Sequence, residues 1–463
     1  MLLVLGAAIA MMDGLTRAPN TDWEMMASEP LQYEPYVGAF VFAGVALMLM
    51  FGAAYRLGTS YREALLLWFV FCTASYTKDF AYLRLPGTPL FVTDVVLLLL
   101  VLSVWRRFWL EPRYLKLCLI CFWIVGAIAC ARGFLSGHEP AIVVRDFALV
   151  IYSFYFLVGL YLFDSWISIQ RLLFWFVAGA AMSCINGLAW FVVAPDQRRL
   201  ILYGVYISLA LVGILAALMS RSIPGAIGVG VLALLTIGLT LANARSLFAA
   251  TGMAVGLILL TGTYFRRKLL LRRVLKTAGI LIILAAAMVW LLLQTSSGKQ
   301  FVDRAAEELI SGLVYTSEDA NMQFRMLAWA EAVARFLQDP WLGEGFGVAF
   351  TFSLADTDPR PHNTFLTVLY KMGIAGAMPL LGLLGYVFLR GIRGVRAHAE
   401  NRHTALLYAL IIAQLVFCTY GIFNLLLESP FLASLFWISM GLGLRMVRIL
   451  DAQQGQVRVS DDG

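Results

Sequence analysis

The stretch RPHNTFLTVLYKMGIAGAMPLLGLLGYVFL, residues 360–389, joins a polar loop to an apolar run. The run is long enough to cross a bilayer, which takes about 20 mainly apolar residues in a helix. Similar runs recur from end to end of the 463-residue chain, which is 61% hydrophobic and only 14% charged. Its mean hydropathy is +0.82, whereas soluble domains are about 25% charged. In lipid the backbone must satisfy its own hydrogen bonds, so the spans are helices. The alternating pattern of a membrane barrel is absent. The fold class is therefore an all-α polytopic membrane protein, with about 12–14 transmembrane helices and one large loop containing short helices.

Residues 1–294 read as an N-terminal bundle of about 11 spans. The large loop follows at 295–363, then C-terminal transmembrane helices at 364–448 and a tail at 449–463. The apolar start at 1–12 reads as a short first span rather than a cleaved signal, because a long acidic segment follows it. The net charge of +7 does not indicate a nucleic-acid partner, because the basic residues alternate with topology. Of the 35 Lys and Arg, 21 fall in short loops on one side or in the tail, among them Arg106, Arg107, Arg266, Arg267, Arg390 and Arg448. Such loops are cytoplasmic. The 295–363 loop then lies on the opposite, non-cytoplasmic side, and both termini are cytoplasmic. The six cysteines sit in or beside apolar runs. Cys118-Leu-Ile-Cys121 lies inside one such helix and reads as packing.

The large loop carries ten acids against five bases. In its middle, Phe324, Leu327, Ala328, Val333 and Phe336 recur near helical spacing, which predicts an amphipathic helix over 321–337. Asp339-Pro340 ends it, since the residue before proline avoids the helical region. The turn Gly343-Glu344-Gly345-Phe346-Gly347 lets backbone approach a ligand or another segment. As a nucleotide fingerprint it is weak, because no strand precedes it and nucleotides are scarce outside the cytoplasm.

Of the four histidines, only His362 stands where the loop meets the mouth of the bundle. An imidazole there titrates near neutral pH and is a candidate base. A structural role, capping the next helix, stands beside that reading, and Asn363 or Thr364 could be the N-cap of the span. The arginines on the loop side are the second signal, since charge bias depletes them there. Arg145, Arg198, Arg199, Arg245, Arg325 and Arg360 all remain. A guanidinium fork matches phosphate oxygens in a bidentate way, so converging arginines would suit a diphosphate whose lipid tail stays in the bilayer. A lone arginine at a helix end also snorkels to lipid phosphate. Lys371 and Asp94 are the two charges set within spans. Lys371 either lines the cavity or snorkels to the interface.

Taken together, Gln323-Phe-Arg325, Asp339-Pro-Trp-Leu-Gly343-Glu-Gly345-Phe-Gly347, His362-Asn363-Thr-Phe-Leu366 and Gly373-Ile-Ala-Gly376 resemble the O-antigen ligase/polymerase superfamily. Ala244-Arg245-Ser246 resembles that family's upstream arginine step, with alanine where a serine is expected. Residues 1–240 carry no matching motif. The resemblance implies an inner-membrane glycosyltransferase working on the periplasmic face. Its donor would be a glycan on undecaprenyl diphosphate, and its acceptor another glycan or lipid A core. By matching motif, His362 is the base on the acceptor hydroxyl, and Arg325 and Arg245 bind the diphosphate. Asn363, Arg360, Arg145, Arg199 and Lys371 are expected substrate-binding residues. The implied partners also include membrane lipids, a chain-length regulator and a flippase. No cofactor and no metal are expected. Asp356-Thr-Asp358 has the spacing of a metal-binding pair but sits among solvated loop acids.

The expected activity is polymerisation of repeat units into O-antigen or exopolysaccharide, by a metal-independent, inverting transfer. Ligation to lipid A core is the alternative, and a protein O-glycosylating transferase uses a similar loop. A transporter of polysaccharide or lipid is the reading from another class, and it would place ionisable groups in mid-span.

Overall fold

The computed structural model describes residues 37–57, 59–84, 90–193, 204–219, 223–242, 245–265, 298–300, 302–303, 320–348, 360–401 and 403–461, with isolated positions besides. The described residues are mostly helical, and no strand occurs among them; Arg84 and Phe91 form an isolated bridge. The first helices are α1 (Val37–Leu57), α2 (Tyr61–Tyr76), the single turn α3 (Lys78–Ala81), α4 (Val92–Phe108) and α5 (Arg113–Leu135). Next come α6 (Pro140–Ile151), a 3-10 turn at Tyr152–Phe154, α7 (Tyr155–Tyr161), α8 (Trp166–Val193), α9 (Val205–Met219), α10 (Gly225–Ala242) and α11 (Arg245–Phe265). The last four are α12 (Ala320–Gln338), α13 (Thr364–Ala397), α14 (Thr404–Phe423) and α15 (Pro430–Asp461).

Seven of these helical segments are long and apolar enough to cross a membrane, counting Pro140–Tyr161 as one. The chain is an all-α polytopic membrane protein. Three shorter apolar helices, Phe40–Arg56, Val205–Leu218 and Leu247–Ile258, match further expected spans. Helices α2 and α4, of 16 and 17 residues, fall within the expected N-terminal bundle. The expected short span at 1–12 lies largely outside the described residues.

Close packing fixes the centre of the bundle. A Cβ on Gly159 of α7 would sit 2.2 Å from the Ile438 carbonyl, and one on Gly441 of α15 would sit 2.0 Å from that of Phe156. The two backbones touch because both positions lack a side chain, which is how membrane helices approach when lipid offers no hydrophobic drive. Asp94 lies in the first turn of α4. Its carboxylate accepts the Phe91 amide at 3.0 Å and the Tyr152 hydroxyl at 2.8 Å.

The bundle has two chemically different ends. At the end away from α12, Glu111 accepts from both terminal nitrogens of Arg448 and, at 2.5 Å, from the Tyr161 hydroxyl. Arg445 donates to the Phe163 carbonyl at 2.5 Å and to Asp164 at 2.6 Å. His398 pairs with Asp451 at 2.8 Å, and His403 stacks on Trp166 with ring centroids 4.2 Å apart.

Candidate active site at the loop end

The amphipathic pattern expected over 321–337 appears as α12, Ala320–Gln338. Its apolar face lies on α13: Ala332 and Tyr370 are buried together, with Phe336 and Leu366 packed around them. Trp329 donates its indole N–H to the Pro361 carbonyl at 2.8 Å, which ties the helix to the start of α13. Arg335 bonds Glu331 at 2.8 Å and Glu344 at 3.2 Å, linking the helix to the glycine turn. Beyond the helix end, Asp339 accepts from Arg132 of α5 at 2.8 Å. The Arg132 guanidinium holds the Asp339 carboxyl below the usual carboxylate range. Arg132 also donates to the Gly343 carbonyl at 2.5 Å.

The glycine-rich turn approaches another segment. Gly373 interrupts helix α13 at φ 62° and ψ −166°. The break frees backbone groups on both sides, and the turn satisfies them. Glu344 and Gly345 donate to the carbonyls of Tyr370 and Lys371 at 2.8 and 3.1 Å. The amides of Ile374 and Ala375 donate to the carbonyls of Pro340 and Trp341 at 2.8 and 3.0 Å. A Cβ on Gly373 would sit 2.3 Å from the Trp341 carbonyl oxygen, so only glycine fits this contact. On its other side the turn donates from Phe346 to the Ala129 carbonyl at 3.0 Å and from Gly347 to Asp146 at 2.8 Å. His138 bonds the Phe346 carbonyl at 2.9 Å.

This frame holds the His362 segment. His362 adopts φ 47°, a left-handed conformation uncommon for a residue with a side chain. Its ring is half-buried and meets Phe324 of α12 edge-on, with centroids 6.2 Å apart. Arg325, also half-buried, is the next residue on that helix. Asn363 is the N-cap of α13: its side-chain oxygen accepts the amides of Phe365 and Leu366, each at 3.1 Å. Thr364 donates to the Asn424 carbonyl at 3.1 Å and accepts the Leu426 amide at 2.7 Å. The turn between α14 and α15 is thereby fastened beside His362. Arg360 is buried, at 6% exposure.

Lys371 sits beneath, at 0% exposure, with its ammonium 2.6 Å from Asp146 of α6. Arg145 lies 3.5 Å from the same carboxylate. The charges of Arg145, Asp146, Arg360 and Lys371 all act on Glu428, which lies in the α14–α15 turn at 4% exposure. Burial pushes the Glu428 carboxyl up, against the pull of Lys371 and Arg360. Arg245 is the first residue of α11, and Arg198, Arg199, Asp356 and Asp358 lie outside the described residues. The structure thus brings Arg325, Arg360, His362, Asn363, Arg145 and Lys371 to one end of the bundle.

Residues 230–381 match the family model described as O-antigen ligase. No curated protein matches the chain. The matched stretch runs from α10 through the first half of α13, so it contains Arg245, Arg325, Arg360, His362, Asn363 and Lys371. It supports a ligase/polymerase-type function, glycosyltransferase-like, on a lipid-linked glycan. Asp146 and Glu428 lie outside the matched stretch, and sequence reading did not single them out as site residues. A signal existed for both. Asp146 follows Arg145 in an otherwise apolar helix, and Glu428 is the one acid after three leucines.

Proposed function

We propose that the chain is an inner-membrane glycosyltransferase whose site, at the loop end, faces the periplasm. It polymerises undecaprenyl-diphosphate-linked oligosaccharide repeat units into O-antigen or exopolysaccharide. The observation that carries this is the placing of His362. Its ring is half-buried between α12 and the start of α13, next to buried Arg360 and near Arg325, inside the O-antigen ligase match.

His362 takes the proton of the acceptor hydroxyl. The hydroxyl oxygen attacks the anomeric carbon of the donor sugar from the face opposite the diphosphate. The carbon–oxygen bond to the diphosphate breaks as the new glycosidic bond forms, so the configuration inverts and undecaprenyl diphosphate leaves. Arg325 and Arg245 stabilise the leaving diphosphate as its charge grows, which needs no proton donor. Asn363 acts through its cap, fixing the backbone from which His362 projects. Lys371 acts from below by holding Asp146, which in turn holds the glycine turn. Arg360, Arg145 and Arg199 complete the substrate-binding set.

The second reading is transfer of the finished glycan to lipid A core, favoured by the family's description as a ligase. Complementation separates the two. His362→Ala, Arg325→Ala and Arg245→Ala are expressed in strains lacking either the polymerase or the ligase, and glycan length is read on a gel. Loss of long chains with a single unit still attached marks a polymerase. Loss of all attached glycan marks a ligase. Full activity of His362→Ala ends the base assignment, and retention of configuration in the product, read by NMR, ends the single displacement.

A further inference from the structure

The buried charges beneath His362 are incompletely matched. Asp146 is engaged by Lys371, by Arg145 and by the Gly347 amide. Apart from the ion-paired Lys371 ammonium, two charged groups beside it keep unfilled hydrogen-bonding capacity. Neither carboxylate oxygen of Glu428 has a hydrogen-bond partner among the described residues, and neither have Nε and Nη2 of Arg145. All four atoms are buried, so bulk water does not serve them. A buried polar group left without a partner carries a desolvation penalty of roughly 1–3 kcal/mol, more when charged. Such a group persists where a ligand uses it.

The pairing of signs selects the ligand. A phosphate would accept from Arg145 but would face the Glu428 carboxylate. An ammonium group would suit Glu428 and be repelled by Arg145, Arg360 and Lys371. Neighbouring sugar hydroxyls suit both, because each hydroxyl is a donor and an acceptor at once. One accepts from Arg145 while another donates to Glu428. The place of the turn decides which sugar this is. Residues 424–426 are fastened to Thr364 by two hydrogen bonds, two positions from His362. A glycan held by Glu428 therefore lies beside the base.

We infer that Arg145 and Glu428 form a subsite that holds the acceptor glycan by its ring hydroxyls, separate from the arginines assigned to the diphosphate. This rests on the transfer reading above for the word acceptor, but the subsite itself is tested without any transfer. The chain is purified in lipid nanodiscs. One probe is the repeat-unit glycan released from its lipid diphosphate by mild acid, and the other is undecaprenyl diphosphate alone. Saturation-transfer NMR reads glycan binding, and a radiolabelled filter assay reads the lipid. We expect Glu428→Gln to weaken the glycan at least tenfold while lipid diphosphate binding stays within twofold. Glu428→Asp, which keeps the carboxylate, recovers part of the loss, and Arg145→Lys weakens the glycan in the same direction. Unchanged glycan binding in Glu428→Gln overturns the subsite. So does equal loss of both probes or a collapse of the thermal midpoint, since those mark a packing role. If the wild type binds glycan through Glu428 yet transfers none, the subsite stands and the transfer reading falls.

Discussion

The two ends of the bundle treat buried charge in opposite ways. Away from the loop, Glu111 is matched by Arg448 and Tyr161, and Asp164 by Arg445. Those groups close a structure. At the loop end Lys371 and Asp146 are matched, but Glu428 and Arg145 keep buried atoms with no hydrogen-bond partner among the described residues. Only the second arrangement leaves hydrogen-bonding capacity for a ligand to complete. A charge network that stabilises a fold and one that serves a site are told apart by what remains unpaired, since a buried unpaired group is a cost that stability alone does not justify.

That contrast is open to attack by substitution. The largest effects belong to the matched pairs. Arg448→Ala strands Glu111, which is 6% exposed, and should cost about 3–5 kcal/mol, read as a large fall in the thermal midpoint. Lys371→Met leaves Asp146 with only Arg145 and the Gly347 amide and should cost somewhat less, about 2–3 kcal/mol, with Asp146→Asn added to the same chain recovering part of it. Next comes Gly373→Ala. It forces a side chain into a left-handed backbone and against the Trp341 carbonyl, so about 2–4 kcal/mol is expected, with faster proteolysis between α12 and α13.

The sign should reverse for Glu428→Gln. Removing an unmatched buried carboxylate leaves stability unchanged or raises it by up to about 1 kcal/mol. A fall like that of Arg448→Ala would erase the distinction between the ends. The smallest effect is that of pH on Asp339. Its folded-state carboxyl titrates below the unfolded one, so its contribution is complete above about pH 4. It is lost as pH falls through the folded value. The group is partly exposed, so the loss is at most about 1 kcal/mol, and Asp339→Asn should remove the dependence.

How much of this was legible in the sequence follows from the range of each interaction. The helix α12 was readable because its apolar spacing stands out in a polar loop and Asp339-Pro340 closes it. His362 and Asn363 were readable because a polar pair interrupts the approach to an apolar run. The N-cap role of Asn363 emerged as one of the two readings left open, alongside substrate contact. The break in α13 was hidden. Gly373 and Gly376 in an apolar run look like packing, and the groups that satisfy the break come from Pro340 to Gly345, far upstream. The partners of Lys371 and the role of Glu428 were hidden for the same reason. A lone charge in an apolar segment shows that a partner exists, but Asp146 reaches Lys371 from a helix more than 200 residues earlier.

The central claim is that His362 is the base of a glycan transfer at the loop end. Asparagine tolerates a left-handed backbone and cannot serve as the base, so His362→Asn separates the chemistry from the fold. Purified chain in nanodiscs is given the lipid-diphosphate-linked repeat unit, and the rate of glycosidic bond formation is measured. We expect a fall of about 10²–10⁴ in that rate, with donor binding and thermal midpoint close to the wild type. Transfer at the wild-type rate by His362→Asn would contradict it.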